Sequence, residues 1–272
     1  MRILLTNDDG LRAPGIAALH GALTGPGTTG GPLAELVLPI APLTVQSATS
    51  HGVTFHQPLM VSEIELSPRM RGIAVDGRPA DCVKLALTTL WPERFGPGAR
   101  PDLVVSGMND GANVGINVIY SGTVAAALEA AFLGVPSVAV SLHRGNRPTR
   151  FDVAAAHGRR ALERILAAGP LEPHTCLSVN IPRLEEGGPL EEELELKVCP
   201  MNTHGLNDSY ERRVSPAGDV YYWASGHGLD FRFTDAGSDV QLLFRRCITV
   251  TPLMYDLTRH DALTAWIQRL ER

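Results

Sequence analysis

Residues 4–10 read "LLTNDDG", an apolar run that ends in two adjacent carboxylates, Asp8 and Asp9, and a glycine, Gly10. Asn-Asp and Asp-Gly pairs favour tight turns, so one reading is a hairpin, which requires a second strand after Gly10. The next stretch, "LRAPGIAALHGAL" (11–23), instead places Ile16, Leu19 and Leu23 along one helical face, with Pro14 near the first turn. The unit is strand, acidic turn, helix. In open α/β sheets ligands sit outside the carboxyl ends of the strands, which is where this unit puts both aspartates.

Outward from this unit the alternation continues. A Gly-rich loop, "TGPGTTGGP" (24–32), leads to an apolar strand, "LAELVLPIAP" (33–42), and a polar loop, "LTVQSATSHG" (43–52). A short strand, "GIAVD" (72–76), precedes a helix in "RPADCVKLALTTLW" (78–91) with Val83, Leu87 and Leu90 inward. "PDLVVSGMNDGANVG" (101–115) is a buried strand running into a Gly/Asn-rich loop, and "YSGTVAAALEAAFLG" (120–134) is a helix. Strand 136–141, helix 151–168 and strand 175–182 follow, which predicts a doubly wound, mostly parallel α/β sheet covered on both faces. Beyond the acidic connector "RLEEGGPLEEE" (183–193), β-segments dominate: "LELKV", "DVYYWAS" and "CITVTPL". The chain closes on a helix in "TRHDALTAWIQRL" (258–270), where Thr258 and Asp261 have capping-box spacing and Leu263, Ile267 and Leu270 form an apolar stripe. The expected organisation is a catalytic core over 1–183 and a β-rich extension with a terminal helix over 184–272.

Composition excludes several classes. At 272 residues and 44% hydrophobic content the chain can bury a substantial core. A net charge of −5 and a pI near 6.0, with scattered positive residues, give no basic field for a polymeric nucleic acid. No apolar run approaches the roughly 18 residues that would span a bilayer, and residues 1–6 do not form a signal peptide, so the expected location is cytoplasmic and membrane-free. Cys82, Cys176, Cys199 and Cys247 are widely separated and read as reduced structural thiols. His51, His56, His204 and His227 fall in predicted loops and read as surface or hydrogen-bonding residues.

Four polar sets lie at carboxyl ends of predicted strands or at a helix start: Asp8 with Asp9, Ser47 with Ser50, Ser106 with Asn109 and Asn113, and Ser121 with Thr123. An all-oxygen set with two carboxylates suits a hard dication, Mg²⁺ or Mn²⁺, whereas zinc lacks its paired His or Cys. The amino end of the helix that starts at "YSGTV" offers free amides to an anion, so a phosphate needs no lysine there. Each signal also has a plain reading, Ser121 as a simple N-cap and the Gly/Asn loop as a turn. Their convergence at one end of the sheet is what points to a site.

Taken in order, "ILLTNDDG", "RPADCVKLAL", "SGMNDGANVG", "VIYSGTVAAALEAAFLGVPSVAVSL" and "VTPLMYDLT" closely resemble the SurE (survival protein E) family of metal-dependent nucleotide phosphatases. The resemblance implies a Rossmann-like core, 5′- and 3′-nucleotidase activity on nucleoside monophosphates, activity on polyphosphate in some members, and homodimers or homotetramers built partly by exchanged carboxyl-terminal elements. It implies one divalent ion per subunit held by Asp8, Asp9, Asn109 and Ser47, with Ser50 as the fallback for Ser47. Two departures stand out: Leu43 and Thr44 replace the family's aspartate and frequent arginine, and Arg78 occupies a usual threonine position.

The chemistry expected of this set follows from charge. Asp8 and Asp9 neutralise the dication, and the neutral Ser47 and Asn109 ligate without repelling a phosphate. Ser106, Gly107, Asn113, Ser121, Gly122 and Thr123 form the expected phosphate-binding set. Asp8 and Asp9 are the expected catalytic pair, with a metal-polarised water as nucleophile and direct attack by Asp8 as the competing chemistry. A receiver-like domain would be shorter and would carry a lysine in a suitable loop, and a dinucleotide oxidoreductase would carry G-x-G-x-x-G after the first strand. The main rival is a nucleotide- or phosphate-binding protein of the same fold without catalysis.

Overall fold

The computed structural model describes residues 1–27, 30–146, 148–184, 192–225 and 228–271. Its centre is β1 (Arg2–Thr6), buried on both faces, with Ile3 and Leu5 in one core layer and Leu4 in the other. This is the period-2 alternation of a strand covered on both sides, and it explains why the run is apolar throughout rather than alternating. Strand β1 pairs in parallel with β2 (Leu36–Pro42) and with β5 (Leu103–Asp110).

Away from β1 on one side lie β4 (Met70–Val75), parallel to β2, and then an antiparallel edge strand, β3 (Val61–Ser67). On the other side come β6 (Ser137–Leu142) and β7 (Cys176–Ile181), both parallel. Two later strands complete the nine-stranded sheet, β11 (Ile248–Leu253) antiparallel to β7 and β8 (Leu196–Val198) parallel to β11, in the order β3-β4-β2-β1-β5-β6-β7-β11-β8. The chain therefore winds one way from β1 through β2 and the other way from β5 onward. The crevice between β1 and β5 is a topological switch point.

Helices α1 (Pro14–Thr24) and α5 (Phe151–Ala167) pack together on one face of the sheet. On the other face lie α2 (Pro79–Leu85), a short wider-pitched π segment (Ala86–Leu90), α3 (Trp91–Phe95) and α4 (Gly122–Phe132). The first core layer is built from residues such as Ile16, Leu19, Val105 and Leu162, and the second from Ile40, Val83, Leu87, Trp91 and Ala126. Pro14 and Pro79 each sit in a first helical turn, where the missing N–H has no intrahelical partner to lose.

The structure differs from the sequence reading in several elements. Strand β3 and β9 (Ser209–Val214), a 3₁₀ turn at Gly115–Ile119 and α6 (Asp239–Phe244) were not anticipated. The helix expected to start at Tyr120 begins at Gly122, because the 3₁₀ turn occupies the preceding residues. The capping box proposed for Thr258 and Asp261 does not form: α7 (His260–Leu270) has Arg259 at its N-cap without a side-chain cap, the Thr258 amide donates to Asp256, and Asp261 pairs with Arg259. Two charged partners within two residues outcompete the reciprocal cap. The antiparallel hairpin of β9 and β10 (Val220–Ser225) is exposed along its whole length, and α7 buries none of its residues.

Candidate active site

The site begins where β1 ends. Gly10 turns the chain with φ +95°, a conformation that favours glycine, and the Asn7 side-chain amide donates to the Gly10 carbonyl at 2.9 Å. This turn holds Asp8 and Asp9 at the switch point. Asp8 is only 5% exposed. Its carboxylate accepts a hydrogen bond from the Thr123 hydroxyl in the first turn of α4.

Burial pushes the Asp8 carboxyl up to about 6, reinforced by the neighbouring charge of Asp9 and opposed by hydrogen bonds from Thr123. Burial also raises Asp9, helped by the charge of Asp110 and opposed by the Asp110 amide, which donates to Asp9 Oδ2 at 3.2 Å. Two adjacent, partly desolvated carboxylates that resist ionisation form a site short of positive charge.

Sequence positions far apart converge on this pair. A Cβ at Gly122 would lie 2.9 Å from the Asp8 Cβ and 3.1 Å from its Oδ2, so only glycine lets α4 approach this closely. The Gln46 amide donates to the Asp8 carbonyl at 2.7 Å, which brings the loop carrying Ser47 against the aspartates and leaves Ser47 itself exposed. On β5 the register with β6 shifts between Gly107 and Asn109, a bulge that re-aims the strand end. Gly107 belongs to that bulge, since a Cβ there would lie 2.2 Å from the Val140 carbonyl oxygen. Asn109 donates to the Gly111 carbonyl at 2.7 Å, and Asp110 lies beside Asp9.

The other expected residues divide. The Ser106 hydroxyl is buried without a partner, as are Thr6 Oγ1 and Asn7 Oδ1 among the described residues, and Thr6 lies opposite Ser106 in the β1–β5 register. Such orphaned oxygens at strand ends fit a site that takes water, a cation or an oxyanion. Ser121 acts as the N-cap of α4, its Oγ accepting from the Val124 amide at 3.1 Å. The Asn113 side chain donates to Ser141 Oγ at 2.8 Å, and its amide donates to Asn180 Oδ1 at 2.8 Å, which ties it into a buried network. Ser50 Oγ donates to the Ile119 carbonyl at 2.7 Å and so is engaged elsewhere.

Sequence reasoning missed the supports of this arrangement. The loop after β2 is pinned at its far end by His51, whose Nε2 lies 2.8 Å from Glu129 Oε2, and by Thr54, which donates twice to Asp81. Glu129 is buried on α4, and Lys84 Nζ lies 2.7 Å from its Oε1. Burial would raise this carboxyl, but the bonds to His51 and Lys84 outweigh it and hold the carboxyl below its usual range. Asp239, also buried, accepts from the amides of Gly115 and Asn202 at 2.8 Å each and braces the loop after β5. Asp110 was legible beside Asn109 in "SGMND". The Glu129 and Asp239 braces span too much sequence to leave a local signal. His227 lies outside the described residues.

No group of three or more His, Cys, Asp and Glu side chains placed to hold a metal ion occurs among the described residues. No helix among them is long and apolar enough to cross a membrane.

Comparison with known proteins finds relatives and a solved structure that match nearly the whole chain. A sequence model of the family described as "Survival protein SurE" matches residues 3–207. A protein of Syntrophobacter fumaroxidans named "5′-nucleotidase SurE" is 42% identical over 269 residues, covering 98% of this chain and 99% of its own. One of the same name from Geobacter metallireducens is 42% identical over 268 residues, covering 97% and 95%. The crystal structure of the SurE protein from Aquifex aeolicus superposes over the full length of both chains with a TM-score of 0.79 at 32% identity.

Proposed function

This chain belongs to the SurE family, and on that premise we propose that it is a divalent-metal-dependent phosphatase that hydrolyses nucleoside 5′- and 3′-monophosphates to nucleoside and phosphate, and also acts on polyphosphate. The observation that carries the reading is the Asp8–Asp9 pair: two adjacent carboxylates at a sheet switch point, one of them 5% exposed and raised to about 6. Relatives at 42% identity carry the name 5′-nucleotidase.

The residues present fit a hard cation. The donors are oxygens, two of them anionic, and the buried Asn7 Oδ1 and Ser106 Oγ lack partners among the described residues. Asp8, Asp9, Ser47 and Asn109 would hold one Mg²⁺ or Mn²⁺ per subunit. Bound there, the ion supplies Lewis-acid charge to a phosphoryl oxygen and to an attacking water.

The chain's own residues do the remainder. Thr123 orients Asp8 by donating to its carboxylate. Gly122 keeps the amino end of α4 in contact with Asp8, so the helix dipole favours a negatively charged substrate at the same place. Ser106 contributes a free hydroxyl, and Gly107, Gly122 and Thr123 contribute backbone, to a phosphoryl group. Ser121 and Asn113 take part through the backbone they position, since their side chains are engaged.

A homodimer or homotetramer is part of the proposal, assembled through residues 194–272. Its support is exposed apolar surface: the β9–β10 hairpin, Leu263, Trp266, Ile267 and Leu270 on α7, and Leu257 at 94% exposure. A groove of about 920 Å³ beside α4, walled by Val118, Ile119, Leu128, Met201, Leu253 and Tyr255, is the proposed seat for a second copy of this chain.

The test is phosphate release from a panel of 5′- and 3′-nucleoside monophosphates and polyphosphate, with Mg²⁺ or Mn²⁺, before and after chelation. Metal-dependent release from a nucleotide supports the proposal. Nucleotide binding without turnover under every metal would establish the non-catalytic rival instead.

A further inference from the structure

Beside Asp9 lies a second cavity, of about 400 Å³, whose lining includes Asp9, Arg12, Leu43, Thr44, Asp110 and Phe151. Its composition does not suit a phosphate. Two carboxylates face it, and an anion entering would meet both. Its walls are instead partly apolar and held in place. Leu43 is 41% exposed although its backbone amide is fixed on the Val75 carbonyl at 2.8 Å. Phe151 opens α5 with its ring packed on the core, and the ring is so close to Gly15 that a Cβ there would lie 3.2 Å from it.

Arg12 supplies the polarity. It is exposed at the cavity and makes no hydrogen bond or ion pair among the described residues. A guanidinium has five donors in a planar fork and no acceptor. An unpartnered fork at the edge of a slot with apolar walls fits a flat heterocycle that presents two acceptors side by side.

Resting on the nucleotidase reading, we propose that this cavity takes the nucleobase of the substrate and that Arg12 ranks 6-oxopurines above adenine. Guanine offers O6 and N7 to a bidentate arginine. Adenine offers N7 beside a donor, so one arm of the fork meets a like group. Thr44, whose hydroxyl both donates and accepts, tolerates either base. Discrimination by a bidentate pair of this kind is about tenfold.

The experiment measures kcat/KM for 5′-GMP and 5′-AMP in one Mn²⁺ buffer with wild type, Arg12→Lys and Arg12→Ala, alongside calorimetric titration with guanosine and adenosine. The expected result is a GMP preference of about tenfold in wild type, carried in KM rather than kcat. It falls to within about twofold in both variants, because lysine keeps the charge and loses the fork. Guanosine affinity falls by the same factor. An unchanged GMP:AMP ratio in Arg12→Ala overturns the proposal and leaves the nucleotidase reading standing, as does a preference that lysine fully restores. If wild type turns over neither nucleotide, the nucleotidase reading fails and calorimetry decides the pocket alone: guanosine binding that weakens in Arg12→Ala supports it, and equal binding or none overturns it.

Discussion

Replacing Asp8 by Asn is expected to stabilise the metal-free protein while removing most of its activity. The carboxyl is raised from 3.8 to about 6, chiefly by burial, with the charge of Asp9 adding to the shift. Each pKa unit corresponds to about 1.4 kcal/mol, so ionised Asp8 costs the folded state about 3 kcal/mol at neutral pH. Thr123 can still donate to the asparagine carbonyl, but the new amide brings donors that must find partners, which gives back about 1 kcal/mol. A net gain of about 1–2 kcal/mol corresponds to a rise in Tm of roughly 3–6 °C for a chain of this size.

The sign with pH follows from the direction of the shift. Below the unfolded value of 3.8, Asp8 is protonated in both states and costs nothing; as pH rises through about 6 the folded state must ionise it and that stability is lost. The gain from asparagine is therefore full above about pH 6, fades as pH falls from about 6 to about 4, and is absent below that. Scanning calorimetry or urea unfolding in chelator across this range is the assay. A variant less stable than wild type at pH 8, or a gain that does not change with pH, would refute the reasoning. Added Mn²⁺ is expected to stabilise wild type far more than the variant, reversing the order.

Three further outcomes are expected. Gly122→Ala drives a methyl group into Asp8, with the built Cβ 2.9 Å from the Asp8 Cβ, and should lower turnover by about 100-fold and cost about 1–3 kcal/mol of stability; unimpaired turnover would show that α4 can yield there. Asn109→Ala loses the bond to the Gly111 carbonyl and a neutral ligand but little core, so a metal titration should weaken about tenfold or more while Tm moves by only a few degrees; an unchanged titration removes Asn109 from the ligand set. Light scattering at micromolar concentration should give at least a dimer, and a fully active, monodisperse species of 29.2 kDa would sink the proposed assembly.

The parts of the fold legible in the sequence are those that local pattern controls. The apolar run before Asp8, the Ile16–Leu19–Leu23 stripe and the "YSGTV" helix start each correspond to an observed element because burial on one or both faces imposes its period on the residues. Strand β3 carries an alternation in "VSEIELS", yet it is an antiparallel edge with one face open, and its mostly polar composition gives no apolar run to mark it. Strand β9, "SYERRV", buries nothing and so has no period to read. The integration of β8 and β11 into the main sheet is likewise invisible locally, since it is decided by which edge β7 leaves free.

The site divides in the same way. Asp8 and Asp9 could be placed from one strand and one turn, whereas the Asp8–Thr123 bond spans 115 residues and depends on the packing of α4. Ser121 and Asn113 have the right chemistry for a phosphate, but a cap and a buried amide network claim their side chains. Type and position could be read. Which of several available partners a polar group takes is a tertiary outcome.

The most direct test of the account is an electron paramagnetic resonance titration of Mn²⁺ into wild type and the Asp9→Asn variant, with phosphate release from a 5′-nucleoside monophosphate followed in the same samples. One bound Mn²⁺ per chain is expected in wild type, with turnover that rises in proportion to it and loss of both in Asp9→Asn. Full turnover in chelator, or Mn²⁺ bound equally well by the variant, would contradict it.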